Sequence, residues 1–189
     1  MSVIKHGLTD GQINHRLRDD RSFRGSIWAD ELPPPQQAHS GCCWVINYTP
    51  SPAGTPPEFA NDPRFPANGS HLVYIRAAGP NHLAEYSDSF GERPDDLRDT
   101  LHVPNPHWDE WLTANSRHFG HDTYIYNSVD WQCEIRSEAC GYFAIYTVLH
   151  GMPEEANGAV RGPWKQLYNL RRSCAHIDAM LTRLVNIKA

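Results

Sequence analysis

Short runs of β-branched and aromatic residues, separated by turn residues, predict neighbouring β-strands in the first half of the chain. They cover residues 42–48, 71–77 and 82–88. The first run is apolar, as in a buried strand, and the other two flank a turn at residues 79–81. A fourth β-prone run covers residues 123–127. The three runs of the first half therefore predict a β-meander.

A capping signature predicts a helix near the start of the chain. Thr9 and Gln12 lie three residues apart, as in a capping box. Ile13 and Leu17 then repeat at helical spacing. We expect a helix of about 12 residues that ends near residues 23–25.

Three further segments have helical patterns. Residues 107–117 place two tryptophans and a leucine on one face. Residues 137–149 are apolar almost all round, as in a helix buried in a core, and Gly151 closes this helix. Residues 164–187 carry apolar residues at steps of three and four, which predicts one or two amphipathic helices. The sequence contains no internal repeat.

Composition and charge exclude several classes of protein. The formal net charge of −5 argues against a strong nucleic-acid partner, since phosphate binding depends on clustered Lys and Arg. No apolar run reaches the roughly 18–20 residues that cross a bilayer, and the first residues lack the apolar core of a signal peptide. We expect an intracellular protein without a membrane partner, folded as one domain over residues 1–189 with a helical C-terminal segment at residues 153–189.

Five cysteines bear on the redox state and on metal binding. They are Cys42, Cys43, Cys133, Cys140 and Cys174. Their odd number, without a secretion signal, favours free thiols over a disulfide framework. None of their spacings provides the paired ligands of a zinc site. We therefore expect neither a metal nor a cofactor.

Cys140 is the candidate nucleophile. It lies at or near the start of the most apolar predicted helix, after Ser137 as a candidate cap. The positive end of a helix dipole lowers a thiol pKa, and a thiolate attacks acyl carbons. Gly141 would let a substrate backbone approach closely. The alternative interpretation is that Cys140 is a small buried apolar residue without chemistry.

A nucleophilic thiol needs an imidazole and a group that orients it. His71 is the best placed of the eleven histidines, because it opens a strand after the Pro- and Gly-rich loop of residues 49–69. Asp88 ends the next strand, and the turn at Gly79 lies about midway between Asp88 and His71. Antiparallel pairing would bring both to one sheet edge. The competing histidines are His82, His102, His107, His118 and His121.

Acyl transfer also needs donors for the developing oxyanion. Gln132, eight positions before Cys140, can supply a side-chain amide. The backbone N–H of Cys140 can supply a second donor. The alternative for Gln132 is an ordinary surface amide.

Along the chain these candidates follow the order His71, Asp88, Gln132 and Cys140. This order resembles that of the adenovirus-type maturation proteases, the adenain family, whose clan includes the SUMO-specific proteases. Residues 137–143, Ser-Glu-Ala-Cys-Gly-Tyr-Phe, resemble the start of the family's nucleophile helix. Residues 87–91, Ser-Asp-Ser-Phe-Gly, resemble its acidic motif. His71 precedes Asp88 by 17 residues, a spacing typical of the adenoviral enzymes. The resemblance covers most of residues 9–150.

The resemblance implies a fold and four roles. The fold would be α+β, with helices packed on a mixed central β-sheet and the nucleophile at the N-terminus of a buried helix, as in papain-type folds. Cys140 would be the nucleophile, His71 the general base, Asp88 its orienting acid and Gln132 the oxyanion donor. The chain departs from the family in Leu72, where a Trp is common, and Gln132 lies one residue further from the cysteine.

The implied activity is that of a cysteine endopeptidase acting on a polypeptide substrate. Proteases of this type occur in adenoviruses, virophages and virus-like transposons, so the resemblance implies a capsid or virion precursor as substrate, cleaved after Gly-containing sites, inside the host cell and in the virion. Trp44, Trp131 and Tyr142 are expected to roof a narrow cleft that selects Gly. The acidic composition does not support the family's activation by DNA. An activating peptide, linked by a disulfide to one of the other four cysteines, is an open alternative.

Two alternatives stay open. The first is a protease for ubiquitin-like modifiers, because the clan shares these residues and a Gly-Gly preference. The second is a non-catalytic scaffold that kept the fold. The complete set of four residues argues against a scaffold, which has no need of all four.

Overall fold

The protein is an α+β structure in which helices pack on a five-stranded open sheet. No helix within the described residues has both the length and the apolar character needed to cross a membrane. The computed structural model describes residues 7–55, 57, 61, 71–96, 106–132, 138–155, 158–170 and 174–186, with the backbone alone for 174–176 and 186.

The sheet is mixed. Its strands are β1 (Phe23–Trp28), β2 (Cys43–Asn47), β3 (Leu72–Arg76), β4 (Glu85–Ser87) and β5 (Ile125–Tyr126), and they lie side by side in chain order. The central strands β2, β3 and β4 pair antiparallel, which confirms the predicted meander. The outer strands β1 and β5 run parallel to β2 and β4.

The described part of the chain contains five α-helices. They are α1 (Asp10–Leu17), α2 (Trp108–His118), α3 (Cys140–His150), α4 (Lys165–Leu170) and α5 (Cys174–Asn186). Ala139 holds the N-cap position of α3 without a side-chain cap, and the expected cap Ser137 lies outside the described residues. Gly151 ends α3 with a φ of 77°, as predicted.

The first helix is shorter than the sequence pattern predicts. The capping box of Thr9 and Gln12 is confirmed, but α1 ends at Leu17. The expected continuation to residues 23–25 is wrong because Phe23 already begins β1. Side chains of α1 bond this edge strand: Asn14 accepts the backbone N–H of Ser26 at 2.8 Å. Such a contact depends on tertiary packing that local periodicity does not encode.

Alternating residues of β2 and β3 cover the two faces of the sheet. Trp44 and Ile75 belong to a core cluster that includes the buried side of α2. Val45 packs with α1 and α3 on the other face. The outer side of α3 packs in turn on α4 and α5 through a third cluster, made by Phe143, Trp164, Leu167, Ile177 and Leu181 among others. Because α3 lies between the sheet and the C-terminal helices, it is apolar nearly all round.

The helix expected over residues 107–117 is α2, and residues 164–187 contain α4 and α5. The strand expected over residues 123–127 is the two-residue β5. Most of the loop predicted at residues 49–69 lies outside the described residues.

Candidate active site

Three candidate residues meet at one edge of the sheet. His71 directly precedes β3 and Asp88 directly follows β4. These strands pair antiparallel with Tyr74 opposite Ser87, so the start of β3 and the end of β4 lie together. Cys140 is the first residue of α3, which packs across β3.

A short hydrogen bond joins the buried imidazole to the buried carboxylate. The distance from His71 Nε2 to Asp88 Oδ1 is 2.6 Å. The two residues are 5% and 1% exposed, so solvent screens their interaction little. The second oxygen of Asp88, Oδ2, accepts the backbone N–H groups of Phe90 and Glu92 at 3.1 and 3.3 Å. Asp88 is thus held in one orientation by its own turn.

The imidazole also lies beside the thiol of Cys140, where the two groups interact by charge and by hydrogen bonding. Because Nε2 is bonded to Asp88, Nδ1 is the ring nitrogen that faces the sulfur. The ring of Phe90 stacks on the imidazole, with centroids 4.9 Å apart. Burial opposes the imidazolium charge, but the carboxylate of Asp88 and the thiolate of Cys140 outweigh it and raise the pKa of His71 to about 10.

The surroundings of Cys140 favour the thiolate. Burial by itself raises the pKa of this thiol, but the charge and hydrogen bond of His71 reverse the effect and lower the pKa overall. Backbone hydrogen bonds from Leu72 and Gly141 act in the same direction. Cys140 nevertheless keeps partial solvent exposure. The site therefore favours a thiolate–imidazolium pair at a thiol that solvent can reach.

Gln132 is buried beside the turn that carries Asp88. It is 3% exposed, so its interpretation as an ordinary surface amide is wrong. Its Oε1 accepts the hydroxyl of Ser89 at 2.6 Å. The backbone N–H groups of Trp131 and Gln132 both donate to the Ser89 carbonyl at 2.8 Å. The segment that carries the candidate oxyanion donor is thus bonded directly to the residue after Asp88.

Gly91 allows this close approach. Its φ of 72° lies in the left-handed region, which favours glycine. A Cβ here would lie 2.6 Å from the carbonyl carbon of Val129 and 2.8 Å from the nitrogen of Asp130. These are backbone atoms of the segment that leads to Gln132. The Phe-Gly pair of the acidic motif therefore has a physical reason: Phe90 packs on the imidazole, and Gly91 admits the neighbouring chain.

Asn127 is a site residue that the sequence analysis missed. It is buried and follows β5, whose parallel pairing with β4 brings it beside Asp88. Its Oδ1 accepts the backbone N–H of Asp88 at 2.8 Å, and its Nδ2 donates to the Asp88 carbonyl at 2.7 Å. The available signal was an amide at the end of a β-prone run, since one Asn side chain can satisfy both backbone groups. Ser89 was also missed, although it lies within the recognised motif.

The expected aromatic roof is wrong for both tryptophans. Trp44 is 6% exposed and packs edge-on against Trp111. Trp131 is 1% exposed and packs against Trp164 and Tyr168. The two belong to different core clusters. Their large apolar area stabilises the core instead of facing a substrate.

Gly141 also has a different role from the one expected. A Cβ here would lie 3.1 Å from Leu72 Cδ1 and 3.3 Å from Leu8 Cβ. The missing side chain therefore makes room for two leucines and not for a substrate backbone. Leu72 is the residue that stands where the adenain family commonly has Trp, so this packing accommodates the departure.

The competing histidines lie elsewhere in the fold. His82 and His121 lie by the turn at Gly79, at the opposite end of β3, where His121 Nε2 bonds the Gly79 carbonyl at 2.8 Å. His107 precedes α2 and His118 is its last residue. This helix lies on the other face of the sheet from α3. His102 lies outside the described residues.

Among the other cysteines, Cys42 and Cys43 are buried free thiols. Burial raises the pKa of Cys43 to about 11. Arg24 Nε donates to the sulfur of Cys42 at 2.8 Å. Cys133 and the side chain of Cys174 lie outside the described part of the structure.

Comparison with family models and with curated proteins finds no match to this chain. The case for the site therefore depends on its geometry and on the sequence motifs.

The lowered pKa of Cys140 predicts alkylation at acid pH. Iodoacetamide should modify Cys140 at pH 6, where an ordinary thiol with a pKa of about 8.5 reacts slowly. His71→Ala removes the cation, so reaction should then need a pH above that ordinary value because burial remains. Peptide mass spectrometry at each pH reports Cys140 separately, and Cys43, with its raised pKa, is the internal control. Equal rates for Cys140 and Cys43 at pH 6 would contradict the thiolate–imidazolium pair.

Gly91→Ala should disrupt the site more than the fold. The new Cβ meets backbone atoms, so the segment that carries Gln132 must move away from Ser89. We expect the free energy of unfolding, measured by denaturant titration, to fall by about 1–3 kcal/mol. The hydrogen bond from Ser89 should also break. Gly120→Ala is the matched control, since Gly120 has a similar φ of 85° but open space around it. Equal stability losses in the two variants would show that backbone strain alone explains Gly91.

Proposed function

We propose that the protein is a cysteine endopeptidase of the adenain type. The observation that carries the proposal is the contact of Cys140 with an imidazole that is itself hydrogen bonded to a buried carboxylate, 2.6 Å away. A buried Gln132 tied to the same turn adds the candidate oxyanion donor. These groups together match the needs of acyl transfer: a nucleophile, a proton carrier, its orienter and an oxyanion donor.

The reaction begins with the thiolate. Cys140 Sγ attacks the carbonyl carbon of the scissile peptide bond, and the imidazolium of His71 gives its Nδ1 proton to the leaving amine. The acyl-enzyme thioester then reacts with water, whose proton passes to the same nitrogen; the C–S bond breaks, which releases the carboxyl product and restores the Cys140 thiolate. Asp88 accepts the Nε2–H bond throughout, so the ring keeps its orientation and its charged form is stabilised.

The oxyanion of each tetrahedral intermediate needs two donors. Gln132 Nε2 is one. The backbone N–H of Cys140 is the other, because the first N–H groups of a helix have no partner within the helix. One such donor contributes about 10²–10³ in kcat in comparable enzymes.

Within the α+β class, the fold that we propose is papain-like. Its support is the arrangement of a nucleophile at the start of a buried helix, packed on a mixed sheet whose strand ends carry the histidine and the acid. The proposed substrate is a virion precursor cleaved after a Gly-containing site, within an infected cell or a virion. That part rests on the adenain-like segments 87–91 and 137–143. The net charge of −5 does not favour activation by DNA.

Cleavage of a candidate capsid precursor tests this function. The purified protein should produce discrete fragments, Cys140→Ala should produce none, and Gln132→Ala should lower kcat by about 10²–10³. Cys43→Ala is the matched control, since that buried thiol is bonded away from the site. Unchanged cleavage by Cys140→Ala would exclude the proposed mechanism.

The pH profile of kcat/KM should be bell-shaped. The reactive pair needs Cys140 deprotonated, so activity should already be present below the ordinary thiol pKa. It needs His71 protonated, so activity should fall as the pH rises toward the raised pKa of about 10. A profile that rises only above pH 8.5, the usual thiol range, would contradict the ion pair.

A further inference from the structure

The hydroxyl of Ser89 selects one orientation of the Gln132 amide. A carboxamide can rotate by half a turn, which exchanges its oxygen and nitrogen with little change in shape. Ser89 Oγ donates to Oε1 at 2.6 Å, and both residues are buried. In the rotated amide the Ser89 hydroxyl would have to accept from the NH₂ group instead, and 2.6 Å is an ordinary O–H···O distance but too short for N–H···O. The bond therefore favours the orientation in which Nε2 lies at the opposite end from Ser89.

This choice matters for an oxyanion donor more than for a structural amide. With Nε2 toward the reacting carbonyl, Gln132 stabilises the developing negative charge. With Oε1 in that place, the lone pairs of the oxygen repel the same charge. A group that decides between the two orientations therefore acts on the transition state, although it does not touch the substrate.

Ser89 is well anchored for this purpose. Its carbonyl accepts the N–H groups of Trp131 and Gln132 at 2.8 Å, so its distance from the Gln132 backbone is fixed as well. It also directly follows Asp88, whose carbonyl accepts the N–H of Gly91 at 3.1 Å in the same turn. One four-residue turn thus holds both the imidazole-orienting acid and the amide.

We propose that Ser89 is a positioning residue that holds the Gln132 carboxamide with its NH₂ group toward the oxyanion of a peptide substrate. This inference rests on the proposed peptidase function and assigns a role within it. Ser89→Ala should leave the backbone bonds in place and lower kcat about tenfold or more, up to the 10²–10³ expected for loss of the whole donor. KM should change little, because the ground-state carbonyl is bound less strongly than the oxyanion.

A double-mutant cycle provides the test. If Ser89 acts through Gln132, then Ser89→Ala should have no further effect on kcat in a Gln132→Ala background. Gln132→Glu should be at least as inactive as Gln132→Ala, because the Ser89 hydroxyl can still bond one carboxylate oxygen while the other replaces Nε2. Thermal unfolding of each variant shows whether the fold is intact.

Alkylation of Cys140 by iodoacetamide at pH 6 is the second readout. Attack on this reagent creates no oxyanion, so Ser89→Ala should alkylate at the wild-type rate while its kcat falls. Additive losses in the cycle, an unchanged kcat, or a parallel loss of alkylation would each overturn the inference, the last because Ser89 would then act through Asp88 and His71. If the wild-type protein alkylates but cleaves no peptide, the proposed function fails and the inference fails with it.

Discussion

The buried hydrogen bond between His71 and Asp88 is the constraint on which the site depends. An ionised carboxylate that is 1% exposed is costly unless every oxygen is bonded. The turn after β4 meets this demand with two backbone N–H groups on one oxygen and the imidazole on the other. Asn127 then binds both backbone groups of Asp88, so the carboxylate cannot relax toward solvent without breaking the link to β5.

The turn that contains Asp88 also bonds the segment that contains Gln132. Its second residue, Ser89, binds the chain that leads to Gln132, and its last residue, Gly91, lets that chain approach. Asp88, which bonds the imidazole, and the buried amide of Gln132 are therefore parts of one hydrogen-bonded unit. A displacement of either would move the other. The short motif that follows β4 therefore controls the positions of both Asp88 and Gln132.

Sequence patterns predicted the elements that are local. The meander followed from apolar runs and one turn, and the placement of His71 beside Asp88 followed from the symmetry of an antiparallel pair about Gly79. The roles of Trp44 and Trp131 did not follow, because a tryptophan near a catalytic motif fills a core as readily as it lines a cleft. Strand β1 and the contacts of Asn127 depend on parallel pairing between distant segments, which periodicity does not encode.

Stability alone does not account for this arrangement. Replacing a buried ion pair by well-packed apolar residues is often neutral or stabilising by about 1–4 kcal/mol. A scaffold could therefore hold apolar side chains at His71, Asp88 and Cys140 without loss. The raised pKa of His71 also means that the contribution of its charge to stability is complete below pH 6.5 and is lost as the pH rises toward about 10. A charged pair beside a partly exposed thiol is useful when the thiolate must react, and this favours the peptidase over the scaffold.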